Sequence, residues 1–113
     1  MNYKEIKSFL SQIEDPVQKL EFVMDLGKSL SPIPEYSACT DVLGCSSYVK
    51  ICKLNGIFYG VADSAMVSGI VAIILVMVND KVKDIKSEFD SLNLSFGVSR
   101  LNGINGIISA VSN

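Results

Sequence analysis

Apolar residues near the N-terminus recur at helical spacing, with Tyr3, Ile6, Phe9, Leu10 and Ile13 on one face. Asn2 and Glu5 are spaced as a capping box at its start. Asp15-Pro16-Val17-Gln18 predicts a second start: Asp15 caps, Pro16 suits the first helical position and Gln18 completes a box. Leu20, Val23, Met24 and Leu26 continue that helix. Pro32 and Pro34 end it, and Ser31 to Gly44 reads as an extended loop. The period then changes to two. From Ser46 to Lys53, Val49 and Ile51 share one face of a strand, and Tyr48, Lys50 and Cys52 share the other. Asn55-Gly56 is a hairpin turn, and Ile57 to Val61 is the returning strand. Helical spacing resumes over Ala65 to Val78, where Asp63 or Ser64 can cap, and again over Lys81 to Leu92, with Val82, Ile85 and Phe89 inward. The last stripe is Leu101, Ile104, Ile107, Ile108 and Val111. Gly103 and Gly106 within it predict a close neighbour, since each costs roughly 1 kcal/mol relative to alanine in a helix.

These elements predict an α+β fold, a small antiparallel sheet with helices packed on one face. Two strands alone are marginal, so a third is expected from Tyr36 to Leu43. Phe9, Phe22, Met24, Met66 and Met77 fall on apolar faces and read as core. The chain of 113 residues reads as a single domain, 1–113, with its own core. Ala65 to Val78 is the most apolar stretch, but a membrane span needs about 20 such residues, so a buried helix is expected. Net charge is −2, with no basic patch to neutralise a phosphate backbone, which argues against nucleic acid as a partner.

Histidine is absent, which removes the usual general base for a thiol nucleophile and the commonest neutral metal ligand. Three cysteines remain, Cys39, Cys45 and Cys52, and no apolar leader opens the chain. Free thiols in a reducing cytoplasm are the reading this supports. The three thiols, with Asp63 as a fourth ligand, are an alternative iron–sulfur or zinc site, although none of the paired spacings usual for zinc is present. Cys45 stands apart because Gly44 precedes it and a strand follows, so it falls near a loop tip or sheet edge. Asp63 reads first as a helix cap, and a carboxylate near Cys45 is the alternative. Arg100 is the only arginine, and the dipole of the last helix does not explain a cation at its start.

Four segments together resemble the SufE family of sulfur-acceptor proteins, from about Leu20 to the C-terminus. Leu26-Gly27-Lys28-Ser29-Leu30-Ser31-Pro32 is similar to the family's LGxxLPxL, and Gly44-Cys45-Ser46-Ser47 to GCQSxVW. Asp63, Ala65, Val67 and Gly69 match DAxIVxG; Ser99, Arg100 and Gly103 match PSRxxGL. The chain departs from the pattern at Ser46, Lys50 and Val98. The resemblance implies a fold like that of SufE and IscU. It implies that Cys45 accepts sulfur from the persulfide of a SufS-like cysteine desulfurase and passes it to a SufBCD-type scaffold, with Asp63 and Arg100 in support. It further implies an accessory protein rather than an independent enzyme. No cofactor is expected on this chain, because pyridoxal phosphate belongs to the desulfurase. A cytoplasmic monomer or homodimer is expected, with Cys45 partly covered until the partner docks. A non-catalytic desulfurase-binding adaptor is the remaining alternative.

Overall fold

The computed structural model describes residues 1–42, 47–94, 96 and 98–112, and of 98–101 the helical backbone alone. Two helices, α1 (Tyr3–Gln12) and α2 (Pro16–Gly27), precede three strands, β1 (Ala38–Asp41), β2 (Val49–Leu54) and β3 (Ile57–Ala62). Three helices follow, α3 (Ala65–Asn79), α4 (Ile85–Ser91) and α5 (Val98–Val111). The strands form one antiparallel sheet in the order β1-β2-β3, giving the expected α+β fold.

Local chemistry sets most of these boundaries. Asn2 Oδ1 accepts the Glu5 N–H at 2.8 Å, and Glu5 Oε1 accepts the Asn2 N–H at 3.0 Å, so the capping box forms. Asp15 Oδ1 accepts the Val17 N–H at 3.0 Å and caps α2 directly. Leu54 pairs with Ile57 across Asn55 (φ +52°) and Gly56 (φ +81°), the two left-handed residues of a type I′ turn. The fourth helix starts later than its sequence pattern predicts. The N–H of Lys81 reaches the Val78 carbonyl at 3.1 Å, and that of Val82 reaches Met77 at 3.0 Å. With Lys81 left-handed (φ +65°), these bonds form a Schellman closure of α3. The chain cannot resume a helix from that conformation, and α4 begins only after Asp84, whose Oδ1 accepts the Ser87 N–H at 3.1 Å.

The core is built around α3. Ile70, Val71, Ile73, Ile74 and Met77 are buried on it, and they meet Ile6 and Leu10 of α1, Val23 of α2 and Ile104, Ile107 and Val111 of α5. Glycines let α2 and α3 approach closely. A Cβ on Gly69 would lie 2.6 Å from the Val23 carbonyl carbon, and one on Gly27 would lie 2.6 Å from the Gly69 nitrogen. Phe9 departs from expectation. It is 51 % exposed and stacks on Phe22 at 5.9 Å, at the rim of the apolar stripe rather than inside it.

Helices cover one sheet face. Val49 and Ile51 are buried on that side, and a Cβ on Gly60 would meet Val71 and Leu75 of α3. Register places Cys39, Asp41, Lys50, Cys52, Tyr59 and Val61 on the opposite face. The outer edge of β3 is occupied by side chains. Asn79 both accepts from and donates to the Phe58 backbone at 3.0 Å, and the Ser68 hydroxyl donates to the Ala62 carbonyl at 3.2 Å. These bonds take up edge groups that could otherwise pair with a foreign strand.

Tyr3 carries a buried hydroxyl with no hydrogen-bond partner among the described residues. Burial, with the Glu88 carboxylate adding to it, pushes its pKa up from 10.0 to about 12. The phenol of the unfolded chain therefore ionises first, and stability is lost as pH rises from 10.0 through about 12. Tyr3→Phe removes an unsatisfied polar atom, so it should match or exceed the parent in stability at pH 7 and flatten the alkaline slope. Urea unfolding at neutral and alkaline pH measures both effects.

Candidate functional site: the β1–β2 hairpin

The ladder between β1 and β2 ends where the Val42 N–H donates to the Val49 carbonyl at 2.9 Å. Residues 43–48 connect the two strands beyond that bond, so Gly44-Cys45-Ser46 belongs to the connection of this hairpin. Cys45 itself, and the expectation that it is partly covered, lie outside the described residues.

Asp63 does not cap α3. Ser64 does, its Oγ accepting the Val67 N–H at 3.1 Å. Asp63 instead holds the far limb of the connection. Its Oδ1 accepts the Tyr48 N–H at 3.0 Å, and its own N–H donates to the Tyr48 carbonyl at 3.2 Å. Both backbone groups of a residue three positions after Cys45 are thus tied to the end of β3. Sequence reasoning missed this because the capping pattern fits Asp63 and Ser64 equally well, and only strand pairing brings Tyr48 opposite Asp63. Asp63→Ala should lose about 1 kcal/mol of stability, the net value of an exposed hydrogen bond. Asp63→Asn keeps an acceptor oxygen and should lose less. Paired urea titrations test this, and equal stability of Asp63→Ala and the parent would remove the clamp from the account.

Cys39 and Cys52 correct the reading of free thiols. They form a disulfide, with Cα atoms 4.0 Å apart. Each lies three positions outside the closing Val42–Val49 pair, on facing strands. Bonding alternates along an antiparallel ladder, so Cys39 and Cys52 occupy a non-hydrogen-bonded pair, where side chains come closest. Equal spacing about the connection was visible in the sequence once β1 was placed. The bond also takes two thiolates from the alternative metal site, and no group of three ligating side chains suited to a metal occurs among the described residues. With those two cysteines bonded to each other, Cys45 has no cysteine left in the chain to pair with.

Lys50, one of the departures from the family pattern, stands on the outer face opposite Asp41 and Val61. The backbone of Arg100 lies in the first turn of α5, and its side chain is outside the described residues. No helix among the described residues is long and apolar enough to cross a membrane.

With the hairpin defined, comparison by family decides the wider identity. The model of the SufE family, described as an Fe-S metabolism associated domain, matches residues 4–113. The chain belongs to the SufE family. The match spans nearly the whole chain, and so covers the hairpin, the Asp63 clamp and α5 together. None of the curated proteins searched matches the chain. Membership of the SufE family associates the chain with iron–sulfur metabolism.

Proposed function

We propose that this SufE protein is a sulfur acceptor, taking sulfur from a SufS-like cysteine desulfurase onto Cys45 and passing it to a SufBCD-type scaffold. The Cys45 thiolate attacks the terminal sulfur of the desulfurase persulfide. A new sulfur–sulfur bond forms on Cys45, the bond to the desulfurase cysteine breaks, and that cysteine leaves as a thiolate. The desulfurase supplies the pyridoxal phosphate chemistry that frees the sulfur; this chain supplies a nucleophile and its presentation. The step needs no histidine, in agreement with the composition.

The observation that carries this reading is the hairpin. One limb of the connection holding Cys45 is closed at Val42–Val49, and the other is clamped through Tyr48 by Asp63. Asp63 is a positioning residue here, acting through the Tyr48 backbone. Arg100 is assigned to the partner, through the paired bonds its planar fork can make to a carboxylate. Arg100→Lys keeps the charge and loses the fork, so desulfurase affinity should fall while stability holds. Calorimetric binding and urea unfolding of that variant test the assignment.

The decisive experiment mixes the protein with a desulfurase and free cysteine, then digests it and weighs the cysteine peptides without reductant. One extra sulfur on the Cys45 peptide is expected. Sulfur release by the desulfurase with no added mass on that peptide would leave only the adaptor role.

A further inference from the structure

We infer that Cys39 and Cys52 form a second thiol site, a redox couple that exchanges electrons with a dithiol reductant and sets how firmly β1 is held. Three observations carry this. Cys39 is exposed and Cys52 is 1 % exposed, so an incoming thiolate reaches only the Cys39 sulfur. The bond joins an edge strand to the central strand. All four residues of β1 are exposed, so the strand itself buries no side chain in the core and is held by its backbone ladder and the disulfide. A strand with so few buried contacts opens locally far more often once its covalent tie is cut.

The exchange balances without a further reactant. A thiolate of the dithiol attacks Cys39 Sγ, the Cys39–Cys52 bond breaks, and the Cys52 sulfur leaves with the electron pair and takes a proton. The second thiol of the reductant then attacks its own sulfur in the mixed disulfide and releases Cys39. The chain gains two electrons and two protons, and the reductant ends as a disulfide.

Reduction frees the near limb of the Cys45 connection, while the Tyr48–Asp63 clamp still holds the far limb. The consequence for sulfur acceptance rests on the function proposed above; the couple itself does not.

The test uses the full chain and reads no sulfur transfer. The oxidised protein is incubated with a thioredoxin-type dithiol whose second thiol is replaced by a hydroxyl, and the trapped mixed disulfide is located by peptide mass. It is expected on Cys39. Hydrogen exchange is then compared before and after dithiothreitol. The Thr40 and Val42 amides should exchange about tenfold faster or more after reduction, while those of α3 stay unchanged. The Cys39→Ser/Cys52→Ser variant should show the fast rate with or without reductant. A mixed disulfide on Cys52, three thiols alkylated in protein never exposed to reductant, or unchanged exchange at Thr40 and Val42 would each overturn the inference.

Discussion

Cys45→Ser is expected to lower desulfurase stimulation to the level seen without the protein and to abolish the added sulfur. A free thiol with a pKa near ~8.5 is already a few per cent thiolate at neutral pH, whereas a serine hydroxyl needs a base to attack anything. The chain holds no histidine to serve as that base. Serine is close in size to cysteine, so folding and desulfurase binding should persist, which separates lost chemistry from lost docking. Cysteine turnover by the desulfurase, measured beside binding affinity, reads both. Cys39→Ser and Cys52→Ser should keep most of the stimulation, because neither replaces the acceptor. Equal losses at all three cysteines would restore the shared metal site as the explanation, and full stimulation by Cys45→Ser would leave an adaptor.

Gly69→Ala is expected to be among the most destabilising single substitutions in the chain. Helix propensity alone would favour alanine by roughly 1 kcal/mol. The packing opposes it. The added methyl would lie 2.6 Å from both the carbonyl carbon and the Cγ1 of Val23, which is completely buried. The backbone cannot rotate aside as a flexible side chain would, so α2 must move off α3 and loosen the contacts around Val23 and Ile70. Overpacking of this kind costs about 1–3 kcal/mol or more, enough to outweigh the propensity gain. Gly56→Ala is the informative contrast, since nothing lies within 4 Å of its added methyl and its cost comes only from the left-handed φ of +81°. Urea midpoints should rank the parent first, Gly56→Ala next and Gly69→Ala last. Gly27→Ala fills the same crossing, so its effect and that of Gly69→Ala should not add.

The elements whose signals are local were legible in the chain. Asn2 with Glu5, Asp15 with Pro16, and Asn55-Gly56 each satisfy or set a backbone conformation within a few residues and form as read, except that Asp15 caps through the Val17 N–H without the box expected from Gln18. The alternation of Val49 and Ile51 against Lys50 and Cys52 placed β2 the right way round, because the side-chain period of a strand is two. The four motifs that carry the family resemblance were equally plain, and the family match over residues 4–113 agrees with them. The late start of α4 was less so, because Lys81 takes a left-handed position that usually belongs to glycine.

Tertiary pairing decided the rest. β1 carries no periodic signal because every residue in it is exposed, and an edge strand is held by hydrogen bonds that any sequence can make. Without β1 in place, Cys39 and Cys52 are two cysteines among three; with it, they share one rung of a ladder. Asp63 shows the same limit. Two capping residues stood side by side, and only the return of β3 beside β2 turned Asp63 towards Tyr48 and left Ser64 to the helix. Sequence by itself determined the family, the periods and the caps of α1 and α2, because these depend on neighbours along the chain. The disulfide and the clamp on the Cys45 connection depend on residues 13 and 15 positions apart, and only the folded sheet brings those together.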